Sequence, residues 1–250
     1  MGAIHFSLDE KLLEFFSRQL PLARFVETGT FQGDSLRRAR RFFQECHSVE
    51  MSPHYFTAAQ KMFADDPGVH LALGDSPGFL RCWQEKFRGE PALFWLDAHW
   101  CVADKTAGQN SQSPLLGEIE ALSELPSGSV VLIDDARLYL SAPPAPHEFQ
   151  DWPDFHSVVS ALFKISLRHR LLILNDVIVF YPEGLQSALT DFAHRNGTDW
   201  LLLANQSRSY QEWEAEKFAL QKQLSDYRQS FSNPFKFVRQ VWRECFGGRK

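Results

Sequence analysis

The chain predicts an α/β fold: a doubly wound, mostly parallel seven-stranded sheet with an antiparallel edge hairpin, followed by a C-terminal helical extension. Three observations carry this expectation. Short β-type runs, "RFVETGT", "CHSVEMS", "VHLALGD", "ALFWLDAH" and "SVVLIDDA", alternate with helix-type stretches, "DSLRRARRFFQE", "PHYFTAAQKMFADD", "SPGFLRCWQEKFR" and "SPLLGEIEALSEL". Alternation at this spacing builds βαβ units, whose crossover helices cover both faces of a parallel sheet. Next, "RLLILNDVIVFYP" supplies two further β-type runs around Asn175-Asp176, a hairpin signal. Finally, the texture changes near residue 206, where "SRSYQEWEAEKFALQKQLSDYRQSF" is charged, helix-favouring and free of Gly and Pro.

Taken in order, the chain begins with "SLDEKLLEFFSRQL", an amphipathic helix that Ser7 or Asp9 can cap and Pro21 closes. Five β-α steps follow. Two irregular segments, residues 101–112 and 140–153, come after the fourth and fifth β-runs and therefore belong to the same edge of the sheet. The expected domain spans residues 1–204 and the extension residues 205–250. Within the extension, residues 228–250 hold six basic residues against one acidic, interleaved with Phe235, Phe237, Val238, Val241, Trp242 and Phe246.

Bulk properties narrow the function. At 250 residues and 44% apolar content the chain can bury a sizeable core. A net charge of -5, spread along the sequence, gives no reason to expect nucleic acid as a partner. Cys46, Cys82, Cys101 and Cys245 are widely spaced, without a CxxC pair, which argues against a zinc site or a disulfide framework and for a reducing, cytoplasmic setting. The N-terminal stretch "MGAIHFSLDEKLLEFF" carries acidic residues early and lacks a long apolar run, so neither a signal peptide nor a membrane span is expected there.

The β-runs end alike. Glu27 and Thr28, Glu50, Asp75 and Ser76, Asp97 and His99, and Asp134 and Asp135 close the five runs in turn. In an open parallel sheet, ligands bind at the carboxyl ends of the strands, so five polar ends along one edge point to a binding site. After the first run, "ETGTFQGDS" places Gly29 and Gly33 where a tight turn and close backbone approach are needed. It is not GxGxxG, and no GK[ST] is present, so a nicotinamide cofactor or a nucleoside triphosphate is not expected. An acid at the second strand end, Glu50, is placed to accept both hydroxyls of a ribose.

These segments, "ETGTFQGDS", "SVEMSP", "LALGDS", "FWLDAHW" and "VVLIDDAR", resemble the ordered motifs of class I S-adenosylmethionine-dependent methyltransferases. Among these, the divalent-metal-dependent O-methyltransferases of the catechol and macrolide-sugar types are the more similar. The resemblance covers roughly residues 20 to 182. It implies a Rossmann-like fold and S-adenosylmethionine as cofactor. Gly29, Phe31, Gly33 and Ser35 would line its methionine end, Glu27 would orient its amino group, and Glu50 would hold the ribose. Met51 would pack on the adenine, or else in the core, and Asp75 with Ser76 would contact the adenine edge.

The resemblance also implies a metal. Asp97, Asp134 and Asp135 stand where the metal-dependent families place ligands, and magnesium favours such hard oxygen donors. A metal-bound hydroxyl loses its proton more readily, and transfer is then an in-line attack on a sulfonium methyl. For Asp134 and Asp135 a helix cap and a turn are the competing reading. Catechol-type enzymes carry a lysine three residues after the first metal aspartate, where this chain has Trp100, a departure that weighs against phenolic acceptors. His99 is open to three readings: general base, a group that orients Asp97, or a neutral histidine bonded to backbone. His147 is the fallback base.

Trp95, Trp100, Trp152 and Phe155 are candidates for flat surfaces over a sugar or aryl ring, or for plain packing. The C-terminal stretch resembles the ends of bacterial enzymes acting on cell-surface glycans. Its basic, aromatic helix suits an anionic membrane surface, its own domain or a second subunit equally. The expected function is transfer of a methyl group from S-adenosylmethionine to a hydroxyl of a sugar or cell-surface glycan. A phenolic O-methyltransferase and a non-catalytic scaffold of the same fold are the rivals.

Overall fold

The computed structural model describes residues 8–100 and 111–231. The chain divides into two units, Met1–Gly197 and Thr198–Lys250. The first unit holds seven strands: β1 (Arg24–Thr28), β2 (Glu45–Glu50), β3 (Val69–Leu73), β4 (Ala92–Leu96), β5 (Val130–Ile133), β6 (His169–Leu174) and β7 (Val177–Pro182). They form one sheet in the order β3-β2-β1-β4-β5-β7-β6. The first five are parallel, and the β6-β7 hairpin joins antiparallel through β7 on β5. The expected α/β architecture, doubly wound and Rossmann-like with an antiparallel edge hairpin, is therefore the observed one.

The helices are α1 (Glu10–Gln19), α2 (Asp34–Ala39), α3 (Pro53–Met62), α4 (Ser76–Lys86), α5 (Leu115–Ala121), α6 (Arg137–Leu140), α7 (Phe155–Ile165) and α8 (Gln186–Asn196). Their starts follow from local chemistry. Asp9, Asp75 and Asp154 each accept a backbone N–H of the first turn of α1, α4 and α7. Proline stands in the first turn of α3 and α4, where its missing N–H costs nothing.

Strand alternation divides the core. Leu93 and Trp95 of β4 pack with Phe25, Val130, Leu132 and α1 on one face, and Phe94 and Leu96 pack with Val26, Val131, Ile133 and α4, α5 and α7 on the other. Each fully buried side chain of this size contributes roughly 1.5–3 kcal/mol. Trp95, fully buried, is thus a core residue and not a surface for a ring. Phe155 is likewise partly buried against the second cluster.

One helix is shorter than predicted. The stretch "DSLRRARRFFQE" is helical only to Ala39, because the chain then turns to bring Phe43 into the core against the ring of Phe25, 5.7 Å away. The Gln44 N–H goes to Ala23 O instead of to a helical carbonyl.

The second unit contains α9, Trp200–Phe231, whose first turn is tied down by Asp199 accepting the Leu201 and Leu202 N–H groups. Among the described residues, no helix is long and apolar enough to cross a membrane. Ser7, most of the irregular segment 101–112, Cys101, Cys245 and the basic aromatic stretch from residue 232 lie outside the described residues.

Candidate active site

The chain leaves β1 toward β2 and β3 on one side and returns at β4 to run outward on the other. At such a switch point the loops after β1 and β4 diverge and open a crevice at the carboxyl edge. The strand ends are in register there: Thr28 pairs with Val49 and Leu96, Glu50 with Leu73, and Leu96 with Ile133. All five predicted polar ends therefore share one edge.

Glycine shapes the turn after β1. Gly29 has φ +82°, and a Cβ on it would collide with the Asp97 carbonyl, so glycine is what lets β1 and β4 approach this closely. Phe31 and Gly33 are also left-handed, with φ of 45° and 75°. This strained, side-chain-poor turn folds back on Glu50. One carboxylate oxygen of Glu50 accepts the Phe31 N–H at 2.8 Å, the other accepts the Ser52 N–H at 2.8 Å. Two backbone donors thus fix both oxygens in a single orientation at the mouth of the crevice. Beside them the rings of Phe31 and Tyr55 lie 4.6 Å apart, and Met51 is 48% exposed. Of the two readings of Met51, the core one is thereby excluded.

Glu27 sits deeper. It is fully buried, and Ser35 and Ser48 both donate hydroxyl hydrogen bonds to its carboxylate, tying β1 to α2 and β2. Burial raises its pKa to about 8 despite those two bonds. Asp75 is exposed and its carboxylate serves as the α4 cap, accepting the Gly78 N–H at 2.9 Å, while Ser76 is buried.

The fourth and fifth strand ends converge on His99. Its Nε2 lies 3.3 Å from Asp97 Oδ1 and 3.5 Å from Asp135 Oδ2, and its Nδ1 lies 3.3 Å from Trp100 O. Oxygens face both ring nitrogens, yet Nε2 makes no hydrogen bond to either carboxylate, and the side chain is only 3% exposed. Asp97, by contrast, keeps 20% of its side chain open. Its pKa is raised to about 7, by burial first and then by the charge of Asp135. Asp134 is wholly buried, accepts the Asp135 N–H at 2.8 Å, and is raised to about 8 by burial and by the charges of Asp97 and Asp135.

Asp97, Asp134 and Asp135, the predicted magnesium set, lie close enough that their charges act on one another. Among the described residues, no group of three or more His, Cys, Asp or Glu is arranged to hold a metal ion. Arg137 donates to Asp135 Oδ1 at 2.6 Å and to Asp176, and His99 stands between Asp97 and Asp135. A guanidinium thus stands against Asp135, and an imidazole stands near Asp97 and Asp135. The cap reading fails, since α6 has no side-chain cap.

The edge also contains residues the sequence reading missed. Glu118 of α5 is 2% exposed, with the Ser76 and Thr28 hydroxyls against its carboxyl, and burial raises its pKa. Its spacing was informative: Leu115, Ile119 and Leu122 mark the buried face of α5, and Glu118 falls on it. Arg137 and Asp176 were missed because they meet across the β6-β7 turn, where Asn175 and Asp176 adopt φ of 49° and 70°. Beyond His99 the rings of Trp152, His147 and Trp100 follow at 5.3–5.4 Å. Trp152 is buried and donates to Gln112 Oε1 at 3.0 Å, while Trp100 and His147 remain partly open.

A scan against protein-family models finds no match, and a search of curated proteins finds none. Solved structures do show likenesses. A Streptococcus mutans protein assigned as a methyltransferase, in complex with SAH, is 11% identical over 69% of this chain and 96% of its own, with a TM-score of 0.49. A Staphylococcus aureus protein assigned as a caffeoyl-CoA O-methyltransferase is 13% identical over 70% of this chain and 84% of its own, at 0.48. An O-methyltransferase from Bacillus cereus in complex with SAH is 13% identical over 69% and 80%, at 0.46. These structural neighbours are methyltransferases. At TM-scores below 0.5, none decides the reaction or the acceptor of this chain.

Proposed function

We propose that this chain is an S-adenosylmethionine-dependent methyltransferase that modifies a hydroxyl of a sugar or glycan. The observation that carries the reading is Glu50, whose two oxygens are oriented by the Phe31 and Ser52 N–H groups beside the bare turn at Gly29. An acidic residue at the end of β2, next to the switch point, suits a ribose diol. Phe31, Tyr55 and the exposed Met51 would flank the base, and the close backbone at Gly29 would admit the methionine end.

Bound S-adenosylmethionine would supply a sulfonium methyl. The protein's part is to place the acceptor oxygen in line with it and to receive the proton. Proximity and alignment account for most of the acceleration in such a step. Asp97 is the group we assign to the proton, being open to the crevice and, with a pKa of about 7, poised for a general base. His99 is the group we assign to positioning: enclosed, with Nε2 3.3 Å from Asp97 Oδ1, it walls the carboxylate on that side. Trp100 and His147 offer the ring surfaces against which a sugar would stack. This reading routes no step through a metal.

The test is a thermal-shift comparison. S-adenosylmethionine should raise Tm in a concentration-dependent way, as any ligand of the folded state must, while NAD and ATP leave it unchanged. Equal responses to all three would contradict the assignment.

A further inference from the structure

We propose that α9 pairs with α9 of a second copy of this chain in a parallel, in-register two-stranded coiled coil. The inference rests on the seven-residue pattern of the helix and is independent of the reaction.

From Leu203 onward, positions spaced alternately three and four residues apart are Leu203, Gln206, Tyr210, Trp213, Lys217, Leu220, Leu224, Tyr227 and Phe231. Seven of these nine are apolar or aromatic. Among the twenty intervening residues of the same stretch, Phe218 is the one large apolar residue. A 3.5-residue period sustained over four heptads is the signature of a helix that packs against another helix of the same repeat, and not of one lying on a sheet or a lipid surface. The described seam residues are open: Leu203 is 40% exposed, Trp213 54%, Leu220 54% and Leu224 57%. At 1.5 Å per residue the seam runs about 43 Å.

The partner must match this repeat, and its two polar positions identify it. In a parallel pair each seam side chain inserts among four residues of the facing helix, and at the Lys217 type of position, which lies three residues before the next seam residue, these include the one just before the equivalent position. For Lys217 that residue is the partner's Glu216, and the symmetric copy makes the same pair in return. Glu216 and Lys217 are both exposed in the single chain. A second copy in register therefore supplies two reciprocal ion pairs around the one charged layer, and a single Lys at this position favours a defined register. Within the chain Lys217 lies over the Trp213 ring, 5.0 Å from its centroid, so the cation already faces the seam.

Light scattering on the full chain tests this. The expected mass is twice the 28.8 kDa chain. The doubly substituted Leu220→Asp, Leu224→Asp protein should run at the single-chain mass, with an unchanged far-ultraviolet spectrum outside the loss attributable to α9. Phe218→Asp, which removes a large side chain that is 72% exposed and lies off the seam, should remain double. A single-chain mass for the natural sequence, a mass of three or four chains, or equal dissociation by Phe218→Asp would each overturn the proposal. Glu216→Lys should weaken the pair and Glu216→Lys with Lys217→Glu restore it; failure of that rescue would overturn the parallel register.

Discussion

His99 Nε2 and Asp97 Oδ1 lie 3.3 Å apart, yet the imidazole is enclosed and the carboxylate is open. That difference decides which of the two meets a substrate. Asp97→Asn should lower methyl transfer by about 10²–10⁴-fold, the range for loss of a general base, with S-adenosylmethionine affinity nearly unchanged. His99→Gln should cost less and should also shift the pH-rate midpoint, expected near 7 for Asp97, as the group facing its carboxylate is changed. Measurement of S-adenosylhomocysteine release with a panel of sugar acceptors over pH 5.5–8.5 checks both.

Arg137 bridges Asp135 and Asp176, two carboxylates that are 4% and 3% exposed. Arg137→Ala leaves both without this cation. Breaking a fully buried pair costs about 3–5 kcal/mol; with 42% of the Arg137 side chain exposed, roughly 1–3 kcal/mol is expected. Urea denaturation should show it as a lower midpoint at unchanged slope. Because the proposed reaction routes no step through a metal, turnover of the intact protein should also survive exhaustive treatment with EDTA, and its loss would contradict that reading.

Gly29 and Gly89 have nearly the same φ, +82° and +81°, but different surroundings. An added Cβ at Gly29 meets the Asp97 carbonyl, whereas at Gly89 it meets nothing. Gly89→Ala should cost about 1 kcal/mol of backbone strain, and Gly29→Ala distinctly more, with loss of cofactor binding. Thermal unfolding of the two variants separates conformation from collision.

Glu27 links stability to pH. Its pKa rises from 4.5 in the unfolded chain to about 8 in the fold, so the folded state holds the proton more tightly. The contribution is complete below pH 4.5 and is lost as pH rises through 8. Asp97 and Asp134 act in the same direction, with values of about 7 and 8. His47 and His169, lowered by burial, are already neutral in both states above their ordinary value of 6.5. Between pH 6.5 and 8.5 stability should therefore fall, by at most about 1.4 kcal/mol per pH unit for each carboxyl, and Tm with it. Glu27→Gln should flatten that slope; a Tm that rises over this window would contradict the linkage.

Where the sequence was readable, the reason is geometric. Apolar runs end where strands end, so Glu50, Asp97, Asp134 and Asp135 could be assigned to one edge before any coordinates. Parallel pairing then placed those ends in register. What stayed hidden depends on contacts between elements distant in the chain. The Arg137-Asp176 bridge spans 39 residues, and the Glu50 carboxylate receives the Phe31 N–H across 19. The surroundings of Asp97, Asp134 and Asp135 were hidden for the same reason. Three carboxylates can be counted in a sequence, but the imidazole and guanidinium that settle between them follow only from packing.

The central claim is most directly tested by calorimetric titration of S-adenosylmethionine into the natural protein and into Glu50→Ala. Saturable binding to the former, lost by at least tenfold in the latter while its far-ultraviolet spectrum is unchanged, is the expected result. No heat with the natural protein, or equal affinity in both, would contradict the account.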